Sequence, residues 1–146
     1  MREKGYSEMG SDSLDTEIAD PVKIIEAFDR MILNHQVREA VERFVSPDFV
    51  EHNPNVRDGN LEGLIEYLEV EDIDIGRNRD SGMRLVVDRR FGSGEFVVTQ
   101  HHVIRHEGDP GIVISDTFRV VGGKIVEHWD IHQEVPKDRV NPLPMW

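Results

Sequence analysis

Four segments in the second half of the chain, MRLVVDRRF, EFVVTQHHVIRH, GIVISDTFRVV and KIVEHWDIHQEV, are dense in β-branched and aromatic residues, and the glycine-bearing turns GSG, EGDPG and GG separate them. Runs of this length and composition predict strands joined by tight turns, an antiparallel meander. A meander of this kind buries one face only if something covers it, and the first half of the chain supplies the cover.

DPVKIIEAFDRMILNH carries Val22, Ile25, Phe28, Met31 and Ile32 at three- and four-residue steps, which places them on one helical face. Asp20 is a fitting N-cap, and Pro21 is tolerated in the first turn because its missing N–H had no partner there. His35 stands at the end of this helix, where the negative pole of the helix dipole favours it. A second helix, VREAVERFV, should stop at Ser46-Pro47, since the residue before a proline is pushed out of the α region. FVEHNP then reads as extended, and DGNLEGLIEYLEVED as a third helix with Asn60 as N-cap. Residues 1–15 are polar and lack periodicity, so they are expected to form a disordered leader before a single domain over 16–146, with 137–146 as its tail.

Alternation sorts the polar residues of the strands. In ISDTFRVV it groups Ile114, Asp116, Phe118 and Val120 on one face, so Asp116 sits in an apolar row and should face the helices. In the last strand Val126, His128, Asp130 and His132 oppose Ile125, Glu127, Trp129 and Ile131, and alternation alone does not choose between them. His102 goes with Gln100 and Ile104, whereas His101 goes with Thr99 and Val103. An aspartate in an apolar cavity has its pKa raised by desolvation, and a neighbouring imidazole can hold or pass its proton, so Asp116 near histidine is a candidate general acid or base. His101, His106 and His132 are read as solvated or locally hydrogen-bonded side chains.

Composition narrows the partners. A net charge of −12 without any basic run argues against nucleic acid and anionic membrane surfaces. The absence of cysteine excludes disulfides, thiolate metal sites and a cysteine nucleophile. No stretch reaches the roughly 20 apolar residues of a membrane span, and the first twenty residues lack the order of a signal peptide, so a cytoplasmic location is expected.

With FVEHNPNVRDG and GDPGIVISDTFRVVGGKIVEHWDIHQEVP in view, residues 20 to 136 resemble the SnoaL-like polyketide cyclase family. That family shares the α+β cone of nuclear transport factor 2 and ketosteroid isomerase. The resemblance implies a cone-shaped barrel: a curved, mainly antiparallel mixed sheet wrapped around N-terminal helices and enclosing a pocket. It also implies a homodimer through the outer sheet face, here near Trp129, and an intramolecular aldol condensation or isomerisation with no metal or organic cofactor. Asp116 falls where the acid/base residue of such enzymes lies. His52, His102, His128 and Asp130 would line the pocket beside Phe118 and Ile104, and the last strand would then present the His128 row inward.

The function expected from these residues is proton abstraction next to a carbonyl in a small, largely apolar substrate. Asp116 would be the base, and His102 or His128 would steady the enolate oxygen. Two alternatives carry different consequences: a binding protein that leaves its ligand unchanged, or a metal-binding protein that uses His52, His102 and His128.

Overall fold

The structure, a computed structural model, describes residues 20–78 and 84–146, so the expected leader lies outside the described residues. Helix α1 spans Pro21–Leu33; the Asp20 side chain accepts from the Val22 N–H at 3.0 Å, and Ile24, Ile25 and Phe28 turn inward. His35 stands beyond the helix, in a turn with φ +62° that reverses the chain, rather than in the last helical turn. Helix α2, Val37–Phe44, buries Val37, Ala40, Val41 and Phe44.

Strand β1 covers Val45–Glu51 and so begins four residues before the extended segment expected at Phe49. Pro47 explains the early start, because it excludes helix at Ser46. It also cannot donate to a ladder, which suits a strand at the sheet edge. A short 3-10 turn, Arg57–Gly59, leads into α3, Leu61–Asn78, whose first turn is capped as expected: the Gly63 N–H donates to Asn60 Oδ1 at 3.0 Å.

Strands β2 (Arg84–Ser93), β3 (Phe96–Ile104), β4 (Ile112–Val121) and β5 (Lys124–Glu134) follow as the expected antiparallel meander. β1 pairs in parallel with β5, which gives the order β1-β5-β4-β3-β2. The result is an α+β fold with a curved, mixed, five-stranded sheet that remains open rather than closing into a barrel. The three helices pack on its inner face around Ile25, Val41, Phe44, Val97, Val120 and Ile125. Among the described residues no helix is long and apolar enough to cross a membrane.

Two bulges decide which side chains face inward. In β2 the register against β3 slips between Val87 and Arg89, so that Val87 and Arg90 both point to the inner side although they are three residues apart. In β5 it slips between Ile125 and Glu127, opposite Val120 and Arg119. The extra residue there, Val126, lets Ile125 stay in the core while His128 also turns inward.

Candidate active site

Between α1, α3 and the inner sheet face lies a cavity of about 170 Å³. Its walls are largely apolar, with Phe28, Ile32, Phe49, Leu64, Leu68 and Phe118 among them. Into this lining four adjacent strands project a chain of ionisable groups. β1 and β5 pair at Glu51 and His128, β4 places Asp116 beside them, and β3 adds His101.

Their contacts form one line across the sheet. Both Glu51 carboxylate oxygens lie 2.9 Å from His128 Nδ1, and His128 Nε2 lies 3.0 Å from Asp116 Oδ1. On its other side, Asp116 Oδ2 lies 2.7 Å from His101 Nε2. Phe118 stacks on the His128 ring at 4.5 Å, and the Asn53 N–H donates to Glu51 Oε1 at 2.9 Å. Burial alone would push the His128 imidazole down. Hydrogen bonds and charge from Asp116 and Glu51 outweigh it and raise the pKa to about 9. His128 is therefore an imidazolium at neutral pH, and both of its N–H groups are committed to carboxylates.

The same pairing reverses an expectation about Asp116. Burial was expected to raise its pKa, and burial is indeed the largest single influence, but hydrogen bonds and charge from His101 and His128 together exceed it and hold the carboxyl at about 2. His101 Nδ1 is buried without a hydrogen-bond partner. Its Nε2 N–H is the group that donates to Asp116 Oδ2.

Further polar groups line the same cavity. Asp130 Oδ2 accepts from Asn53 Nδ2 at 2.6 Å and lies 3.0 Å from His132 Nε2. Tyr67 on α3 hydrogen-bonds with Glu71 and Asn53, and burial followed by the Glu71 charge pushes its hydroxyl up. On the opposite side Asp29 of α1 pairs with Arg90 of β2, whose Nε donates to Thr99 Oγ1 at 2.9 Å.

Asp116, His128, Phe118 and Asp130 thus meet in the cavity, while His102, Ile104 and His52 do not. His102 lies one residue along β3 from His101 and so points to the outer face, with Nε2 2.9 Å from the Pro110 carbonyl and its ring stacked on Trp146 at 3.7 Å. Ile104 shares that outer row with His102. His52 lies just past β1, where its Nε2 is 2.9 Å from Glu127 Oε1 and its ring stacks on Trp129 at 4.8 Å, also outside. The metal-binding alternative that joined His52, His102 and His128 fails on this placement, and no group of three or more ligating side chains is placed to hold a metal among the described residues.

The residues that sequence reasoning missed are His101, Glu51, Asn53, Tyr67 and Asp29. Asp29 and Glu51 had a readable signal. Asp29 follows Ile25 by four residues and precedes Ile32 by three, so it interrupts an apolar helical stripe. Glu51 alternates with buried Phe49.

A family model described as a SnoaL-like domain matches residues 25–128. No curated protein matches the chain in sequence. Among solved structures, IdmH, a putative polyketide cyclase from Streptomyces antibioticus, is 22% identical with a TM-score of 0.59, covering 77% of this chain and 91% of that one. A putative ketosteroid isomerase from Kribbella flavida is 13% identical with a TM-score of 0.62, covering 85% and 90%. An NTF2-like protein of unknown function from Cytophaga hutchinsonii is 15% identical with a TM-score of 0.58, covering 77% and 89%. At these identities the likeness concerns the fold.

Proposed function

The chain belongs to the SnoaL-like domain family, and from that premise we propose that it is a small-molecule enzyme that moves a proton next to a carbonyl group, in the manner of an aldol cyclase or isomerase, using its own side chains. One observation carries this reading: an aspartate in an apolar cavity is kept ionised by imidazoles on both of its oxygens. A general base must be ionised at the working pH, and Asp116 meets that condition at every pH above its low pKa. In this reading Asp116 accepts the α-proton. The fixed positive charge of His128 offsets the negative charge that develops nearby, and Glu51 holds His128 in place from behind. Putative polyketide cyclases and a putative ketosteroid isomerase among the structural neighbours fit the same chemistry.

A small apolar ketone tests it. With 1-indanone in deuterated water, the wild type should speed exchange of the α-protons, read by NMR, and Asp116→Asn should lower that rate by about 10²-fold or more. An Asp116→Asn variant that exchanges as fast as the wild type would remove Asp116 from the role. A probe that binds and comes back without any exchange would point instead to a binding protein.

We also propose a homodimer packed through the outer sheet face. Val86, Phe91 and Ile131 are exposed on that face at 49%, 57% and 73%, beside Phe96, whose ring lies 6.4 Å from Trp129. Several large apolar side chains exposed on one sheet face mark an interaction surface.

A further inference from the structure

The cavity holds a carboxyl for which the proton transfer just described has no task. Asp29 enters from α1 between the stripe residues Ile25, buried, and Ile32, half-buried, and forms part of the cavity wall, facing the sheet that carries Asp116. Arg90 of β2 holds its Oδ2, and Thr99 of β3 pins the guanidinium in turn through the 2.9 Å bond from Arg90 Nε. Among the described residues Asp29 has one side-chain partner, Arg90 on Oδ2, and the residue lines the cavity. Two of the cavity's aspartates are therefore held differently: Asp116 by a donor on each oxygen, Asp29 by a cation on Oδ2 alone among the described residues.

We infer that Asp29 is the general acid of the site, meeting the carbonyl oxygen of the substrate while Asp116 takes the proton from carbon; this rests on the reading of Asp116 given above. The imidazole donors beside Asp116 are already engaged. His128 gives one N–H to Glu51 and one to Asp116, and His101 gives its Nε2 proton to Asp116 while its Nδ1 is sealed. His102, first expected to steady the oxygen, is on the far face of the sheet. Tyr67 is engaged with Glu71 and Asn53.

The electrostatics of Asp29 agree with an acid. Burial raises its pKa, Arg90 of β2 and His101 of β3 lower it, and the charge of Asp116 on β4 raises it again, to a net value of about 6. Near neutrality a working fraction of Asp29 carries a proton, whereas Asp116, held at about 2, carries none. Two carboxyls whose surroundings drive their pKa values apart divide into an acid and a base. In the resulting step the α-carbon loses its proton to the Asp116 carboxylate, the C–H electron pair forms the carbon–carbon double bond, and the carbonyl oxygen takes the proton of Asp29. An enol, a neutral Asp116 and an ionised Asp29 result. Attack of the enol carbon on a second carbonyl returns the enol proton to Asp29 and passes the Asp116 proton to the new alkoxide, so both groups are restored.

Two measurements on the full chain test this. The first is an NMR titration of protein labelled at the aspartate carboxyl carbons. One resonance, missing in Asp29→Asn, should titrate near pH 6, and a midpoint for it below about 4.5 overturns the inference whether or not any probe is turned over. The second is the pH profile of enzyme-catalysed α-exchange of 1-indanone. Because Asp29 must be protonated, the wild-type rate should fall as pH rises through about 6, and Asp29→Asn should lower the rate by about 10- to 100-fold and abolish that limb. If Asp116→Asn stops exchange while Asp29→Asn leaves the rate and the limb intact, the acid assignment is wrong and the function stands. If Asp29→Asn removes the limb while Asp116→Asn changes nothing, the acid assignment stands and the base assignment fails.

Discussion

The protonated state of His128 is the electrostatic premise of the site, and it leaves a signature in stability. Its pKa of 6.5 in the unfolded chain becomes about 9 in the fold, a gap of about 2.5 pH units, which corresponds to about 3 kcal/mol. Asp116, moved from 3.8 to about 2, spans a smaller gap worth about 2 kcal/mol. The two figures describe one ion pair and are not added. The imidazole's is larger because Glu51 also holds it, so 2 to 3 kcal/mol is the expected size. A group whose folded pKa lies above its unfolded one contributes fully below the unfolded value and loses the contribution as pH rises through the folded value. Here that window runs from 6.5 to about 9. Urea unfolding of wild type and His128→Gln between pH 5.5 and 10 isolates the effect, because the other titrating groups largely cancel in the difference. The wild type's advantage should shrink by about 2 to 3 kcal/mol across the window. An advantage constant to within about 0.5 kcal/mol, or a His128 ring that titrates by NMR near 6.5 in the folded wild type, would refute the reasoning.

Other consequences are structural. A Cβ on Gly63 would stand 1.9 Å from the Arg57 carbonyl oxygen, a backbone atom that cannot swing aside, so Gly63→Ala should cost about 3 kcal/mol or more and lower the Tm accordingly. Asn60→Ala removes the cap on α3 and should cost about 1 kcal/mol in urea unfolding. Trp129→Glu places a charge on the outer face beside Phe96 and His52, and light scattering should show the dimer become a monomer; a wild type that scatters as 16.8 kDa at micromolar concentration would dispose of the dimer itself.

What the sequence determined by itself is what local periodicity can carry. The 3.6-residue stripe through Ile25, Phe28 and Ile32, the caps Asp20 and Asn60, the four meander strands and the inward row of Asp116 and Phe118 are all legible because each depends on neighbours a few residues away. Tertiary structure decided the rest. β3 is an inner strand with the helices on one face and Trp146 stacked on His102 at the other, and both of its rows mix apolar and polar side chains, so the choice between His101 and His102 is absent from its own alternation. The bulge in β5 breaks strict period two, which is why Ile125 and His128 share a side that simple alternation denies them. Glu51 reaches His128 only because β1, 77 residues earlier, returns to pair in parallel with β5. The direction of the Asp116 pKa follows from that same assembly: desolvation can be anticipated from its apolar neighbours in sequence, but the two imidazoles that overcome it arrive from adjacent strands.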